Sequence, residues 1–151
     1  MINQLRRDVR AKHYKPLILL ITLDFLDKQK LFSPIIPTKI IVEKFEIIMK
    51  KIGYNREHNK GWMPFWHLSG DNIWNLYSVN HQIIKKTAFK EFKPKTKKQL
   101  LNKVNYALIN FDKLNYFSTP DKRKIMRKQI FNLLKKDQEL IGNKILEYYN
   151  V

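Results

Sequence analysis

Apolar positions recur at helical spacing along most of this chain, and one aromatic segment breaks the rhythm. Leu17 to Leu26 is apolar on nearly every side, interrupted only by Thr22 and Asp24. A helix without a polar stripe belongs at the centre of a core. Pro16 suits its first position, because proline has a fixed φ and no N–H to leave unpaired. Ile41, Phe45, Ile48 and Ile52 follow i, i+4, i+7, i+11 and predict an amphipathic helix, capped by Thr38, that runs to about Ile52 and stops at Gly53. Leu100, Leu101, Val104 and Leu108 predict a third long helix. Thr119-Pro120-Asp121 combines a cap, a first-turn proline and an acid at the positive helix end. That helix should bury Met126, Ile130, Leu133 and Leu134. A last one, from about Asp137, should bury Leu140, Ile141, Ile145 and Tyr148.

The break lies at Gly61-Trp62-Met63-Pro64-Phe65-Trp66-His67-Leu68 and continues to Tyr77. All 3 tryptophans fall within it. Ser69-Gly70-Asp71-Asn72 is turn chemistry, since Gly, Asp and Asn tolerate positive φ. The segment reads as an aromatic hairpin with strands Phe65–Leu68 and Ile73–Val79, and Pro64 at the strand entry. Phe65, Leu68, Trp74 and Leu76 are its inward anchors. The expected fold is therefore mainly α (α+β): a single compact helical domain over 1–151, with about six helices around the Pro16 helix and one small antiparallel β-hairpin.

Charge changes the picture. Lys and Arg number 30 against 13 acids, a formal net charge of +17. Such an excess on a small chain implies a polyanionic partner, with nucleic acid first and an anionic membrane surface second. An AT-rich genome, which enriches Lys, Asn and Ile, accounts for part of it. Arg6, Arg7, Arg10 and Lys12 face only Asp8 near the start, as a basic helix or arm. From Gln82 to Lys136 the acids are Glu91, Asp112 and Asp121 alone. Within that stretch Lys85, Lys86, Lys90, Lys93, Lys95, Lys97 and Lys98 crowd around Phe89, Phe92 and Pro94, as a loop or short helix suited to a phosphate backbone.

There is no cysteine, so disulfides, thiolate zinc sites and thiol nucleophiles are excluded. No secretory leader is visible, and the longest apolar run falls far short of the ~20 residues that span a bilayer. No membrane partner and a cytoplasmic location are expected. The 4 histidines have no metal-binding spacing. No H-E-x-x-H, phosphate-cradling glycine loop or nucleophile elbow occurs. No catalytic residue, metal or cofactor is expected. A small metal-dependent nuclease built on His67 or His81, assembled only in three dimensions, stays open, as does a scaffold or RNA-binding role.

Two pieces together carry a family resemblance. Tyr14-Lys15-Pro16-Leu17-Ile18-Leu19-Leu20, followed by Met63-Pro64-Phe65-Trp66-His67-Leu68 with Gly70-Asp71 and Ile73-Trp74-Asn75-Leu76, resembles the sulfur-binding domain of modification-dependent (type IV) HNH restriction endonucleases. Ala107 to Asp112 and Asp121 to Leu134 are similar to that family's closing helices. The resemblance implies a reader of phosphorothioate-modified double-stranded DNA in a restriction system. It implies an apolar cavity for the sulfur, carried over by position to Tyr14, Lys15, Met63, Pro64 and His67. Contacts to DNA backbone and bases are expected from Arg6, Arg7, Arg10, Lys12, Lys60, Gly61, Trp62, Lys85, Lys86 and Lys90. Met63 stands where the family prefers tyrosine, His67 where a small residue is expected, and Tyr14 where histidine is. The family's HNH nuclease is not within this chain, so a nuclease partner would act in cis or in trans. A reader of unmodified or otherwise modified DNA on the same fold is the alternative.

Overall fold

The computed structural model describes residues 1–7, 12–85 and 92–151. The fold is mainly helical with a small antiparallel sheet. Helix α1 (Tyr14–Asp27) is the axis: Leu17, Ile18, Leu19, Leu20 and Leu23 are wholly buried. Its one internal hydroxyl, Thr22, donates to the Ile18 carbonyl at 2.8 Å, which satisfies a polar group with no route to water. Pro16 occupies the first turn, where a missing N–H leaves no hydrogen bond unmade.

Helix α2 (Thr38–Lys51) buries Ile41, Phe45 and Ile48 against α1, as the stripe predicts. Gly53 follows at φ 94°, a conformation that favours glycine. The cap differs from expectation. Thr38 is the first helical residue, behind Pro37, and its buried hydroxyl has no hydrogen-bond partner among the described residues.

The aromatic segment does not form a hairpin. Trp62–His67 is a short helix, α3, and the strand after the turn, β2 (Trp74–Tyr77), pairs elsewhere. The sheet order is β1-β3-β2, with β1 (Ile35–Pro37) and β2 both antiparallel to β3 (Tyr106–Ile109). Aromatic residues carry β-propensity, but in α3 they reach the core at helical spacing, with Phe65, Trp66 and Leu68 buried. The third long helix is also shorter than expected. Helix α4 (Lys97–Lys103) ends where the alternating pattern of Tyr106 to Ile109 takes over as β3. Leu108 therefore sits opposite Ile35 and Asn75 in the sheet, not on a helix.

Thr96 caps α4 and Thr119 caps α5 (Pro120–Asp137), each hydroxyl accepting a backbone N–H at 3.2 Å. Arg123 and Arg127 on α5 bind Asp27 of α1 at 2.6 Å, which fixes the two helices end to end. Helix α6 (Leu140–Tyr148) buries Ile141 and Ile145, but Leu140 is 67% exposed, since the inward face begins one residue later. Among the described residues before α1 only a 3-10 turn, Ile2–Gln4, is helical, and Arg6 and Arg7 lie outside it. No helix among the described residues is long and apolar enough to cross a membrane.

Candidate functional site

Helices α1 and α3 pack together so that their first turns border one surface cavity of about 630 Å³. Tyr14 and Lys15 come from α1, and Met63, Pro64 and His67 from α3. Met63 and His67 are four residues apart on a helix and so share a face. Two sequence-distant segments thus bring every residue assigned to the sulfur cavity into one concavity. Arg6 and Arg7 form another wall, and Glu57, Lys60, Gly70 and Asp71 complete the rim.

The scaffold beneath is rigid. The Trp74 indole N–H donates to the Phe65 carbonyl at 3.1 Å, and their rings lie 4.8 Å apart. Gly61 is buried at the entry to α3; a Cβ there would meet the Phe45 ring at 2.7 Å. Gly61 is therefore a packing residue as well as a position expected to contact DNA. Trp62 is half-buried and packs against the core.

Two polar side chains of the cavity, Lys15 and Tyr14, each meet a carboxylate. Lys15 Nζ meets Asp71 Oδ2 at 2.5 Å, with the Asp71 side chain only 3% exposed. Lys15 also donates to the Arg6 carbonyl, and the Arg6 N–H donates to Asp71 Oδ1 at 3.3 Å. Asp71 thereby clips the N-terminal segment onto α1. Tyr14 donates its phenolic hydrogen to Glu57 Oε2 at 2.7 Å. Burial, reinforced by that carboxylate, pushes the Tyr14 phenol well above its ordinary range. Burial pulls His67 below its usual value, aided by the positive charges of Lys93 and Lys15 and opposed by Asp71. A neutral imidazole thus lines the cavity at pH 7.

The basic residues divide into engaged and free. Arg7 pairs with Asp137 at 2.5 Å and Lys12 with Glu139 at 3.2 Å. The exposed side chains of Arg6 and Lys60 pair with no carboxylate among the described residues. Lys85 lines a separate cavity of about 460 Å³ with Phe92 and Lys103. Arg10, Lys86 and Lys90 lie outside the described residues.

His81 does not border the main cavity; its ring meets the Tyr106 hydroxyl at 3.2 Å. Among the described residues no group of three or more His, Asp or Glu is placed to hold a metal ion. Glu57 and Asp71 were not expected in the site. Asp71 carried a turn signal that hid its second role, and nothing near Glu57 in sequence points to Tyr14. Comparison with protein-family models, curated proteins and solved structures returns no match.

Proposed function

We propose that this chain is a non-catalytic DNA-binding module that reads a phosphorothioate linkage in double-stranded DNA through the cavity between α1 and α3. The observation that carries the reading is the convergence of Tyr14, Lys15, Met63, Pro64 and His67 on one concave surface. Met63 and Pro64 offer soft, apolar contact, which suits a sulfur atom that is larger, more polarisable and less hydrated than oxygen. A phosphate oxygen entering the same wall loses hydration without gaining a partner. Arg6 and Lys60, at the rim and without a carboxylate partner among the described residues, are available to flanking phosphates, which position the module without reading sequence. The net charge of +17 supports a polyanionic partner. An HNH nuclease in cis or in trans would supply cleavage in a modification-dependent restriction system.

The carboxylate of Glu57 in the lining favours a second reading, in which the cavity takes a modified base bearing a hydrogen-bond donor. Titration of one duplex sequence, with and without a single phosphorothioate, separates the two. Tighter binding of the modified duplex supports the sulfur reading, and equal binding rejects it. Incubation of both duplexes with magnesium or manganese tests the non-catalytic assignment, since cleavage would contradict it.

A further inference from the structure

We propose that Asp71 sets the selectivity of this cavity by cancelling the charge of Lys15, an inference that rests on the phosphorothioate reading above. Acids are scarce in this chain, 13 against 30 basic residues. One of them is nevertheless buried beside the lysine that α1 places in the cavity, at 2.5 Å. A buried carboxylate persists where it is paired and hydrogen-bonded, and Asp71 is both, through Lys15 and the Arg6 N–H.

The consequence concerns what the cavity offers an incoming linkage. An ammonium has three N–H donors. Lys15 places one on Asp71 and one on the Arg6 carbonyl. What remains is a single hydrogen bond without net charge. An uncompensated ammonium would attract any phosphate and would replace the hydration that an oxygen loses on entry. The closed pair withholds that replacement, so the better-hydrated oxygen is disfavoured relative to sulfur. This is selectivity by penalising the wrong ligand. Arg6 and Lys60 at the rim act on flanking phosphates of modified and plain duplexes alike, so they add affinity but no selectivity.

Asp71→Asn tests the role, because an amide oxygen still accepts the Arg6 N–H while the charge is lost. Wild type, D71N and the doubly neutral K15M/D71N are titrated with plain and phosphorothioate duplexes over a salt series. D71N should bind the plain duplex about tenfold tighter and the modified duplex less so, which narrows the ratio. Its log–log salt slope should steepen by about one. K15M/D71N should return the salt slope to the wild-type value, which a merely structural clip would not do, while affinity for both duplexes falls with the lost Lys15 hydrogen bond. An unchanged ratio and slope in D71N, with wild type still discriminating, overturns the role of Asp71 alone. Equal wild-type affinities overturn the phosphorothioate reading and this inference with it. Should D71N fail to fold, K15M/D71N decides: a wild-type salt slope with tighter binding of the modified duplex supports the neutral pair, and a changed slope or equal binding of the two duplexes overturns it.

Discussion

The indole nitrogen of Trp74 donates to the main-chain carbonyl of Phe65 at 3.1 Å, joining the first residue of β2 to the middle of α3. Both residues are fully buried. The contact fixes how α3 presents Met63 and His67 to the cavity. Trp74→Phe leaves the Phe65 carbonyl without this partner and shrinks the ring. Stability should fall by about 2–4 kcal/mol, read as a lower urea midpoint. The discrimination between modified and plain duplexes should weaken with it.

Gly61 makes a prediction about packing. Its buried α-carbon faces the Phe45 ring, which a Cβ would approach at 2.7 Å. Gly61→Ala should destabilise the fold by about 1–3 kcal/mol through overpacking. Thermal unfolding checks it, and an unchanged midpoint would show that Phe45 yields freely.

Glu57 contributes negative charge to a cavity assigned to an anion. Its partner is the Tyr14 hydroxyl, at 2.7 Å. Glu57→Gln keeps an acceptor for that hydroxyl and removes the charge. Affinity should rise for plain and modified duplexes alike by about two- to fivefold at low salt, with the ratio unchanged. A changed ratio would mean that Glu57 itself contacts the linkage.

His13 gives the fold a pH dependence. Burial lowers its pKa from 6.5 to about 4, against the opposing pull of Glu57 and Glu139. Below pH 6.5 the unfolded chain takes up this proton and the folded chain does not. The stabilising preference for neutral histidine is therefore present above pH 6.5 and is lost as pH falls towards 4. The loss should amount to about 3 kcal/mol over that window. Urea unfolding at pH 7, 6 and 5 measures it, and His13→Leu should flatten the slope. A His13→Leu slope equal to wild type would contradict the assignment.

The long helices were legible because repetition over many residues leaves one solution. The all-apolar run of α1 and the i, i+4, i+7, i+11 stripe of α2 had no competing pattern. Short elements were not. Phe65-Trp66-His67-Leu68 carries β-propensity beside a turn signal, and only its packing on α1, with Trp74 beneath, makes it helical. Leu108 extended the spacing of Leu100, Leu101 and Val104 by coincidence, and pairing with two other strands outweighed that pattern.

The candidate site divides in the same way. Tyr14, Lys15, Met63, Pro64 and His67 were expected to lie together, and the packing of α1 on α3 sets them around one cavity. The ion pair of Lys15 with Asp71 and the bond of Tyr14 to Glu57 were not, because each partner is selected across space. That matters for Lys15, assigned by position to the sulfur cavity. Its own charge is already balanced by Asp71, so on the proposed reading phosphate binding falls to Arg6 and Lys60.

The most direct measurement is a competition titration with three duplexes of one sequence: plain, and bearing a single phosphorothioate of either configuration. On the proposed reading, one configuration directs sulfur into the Met63–Pro64 wall and the other directs it away. The account predicts that one stereoisomer binds at least about tenfold tighter than both the other isomer and the plain duplex, at moderate salt. Equal affinity for all three would contradict it.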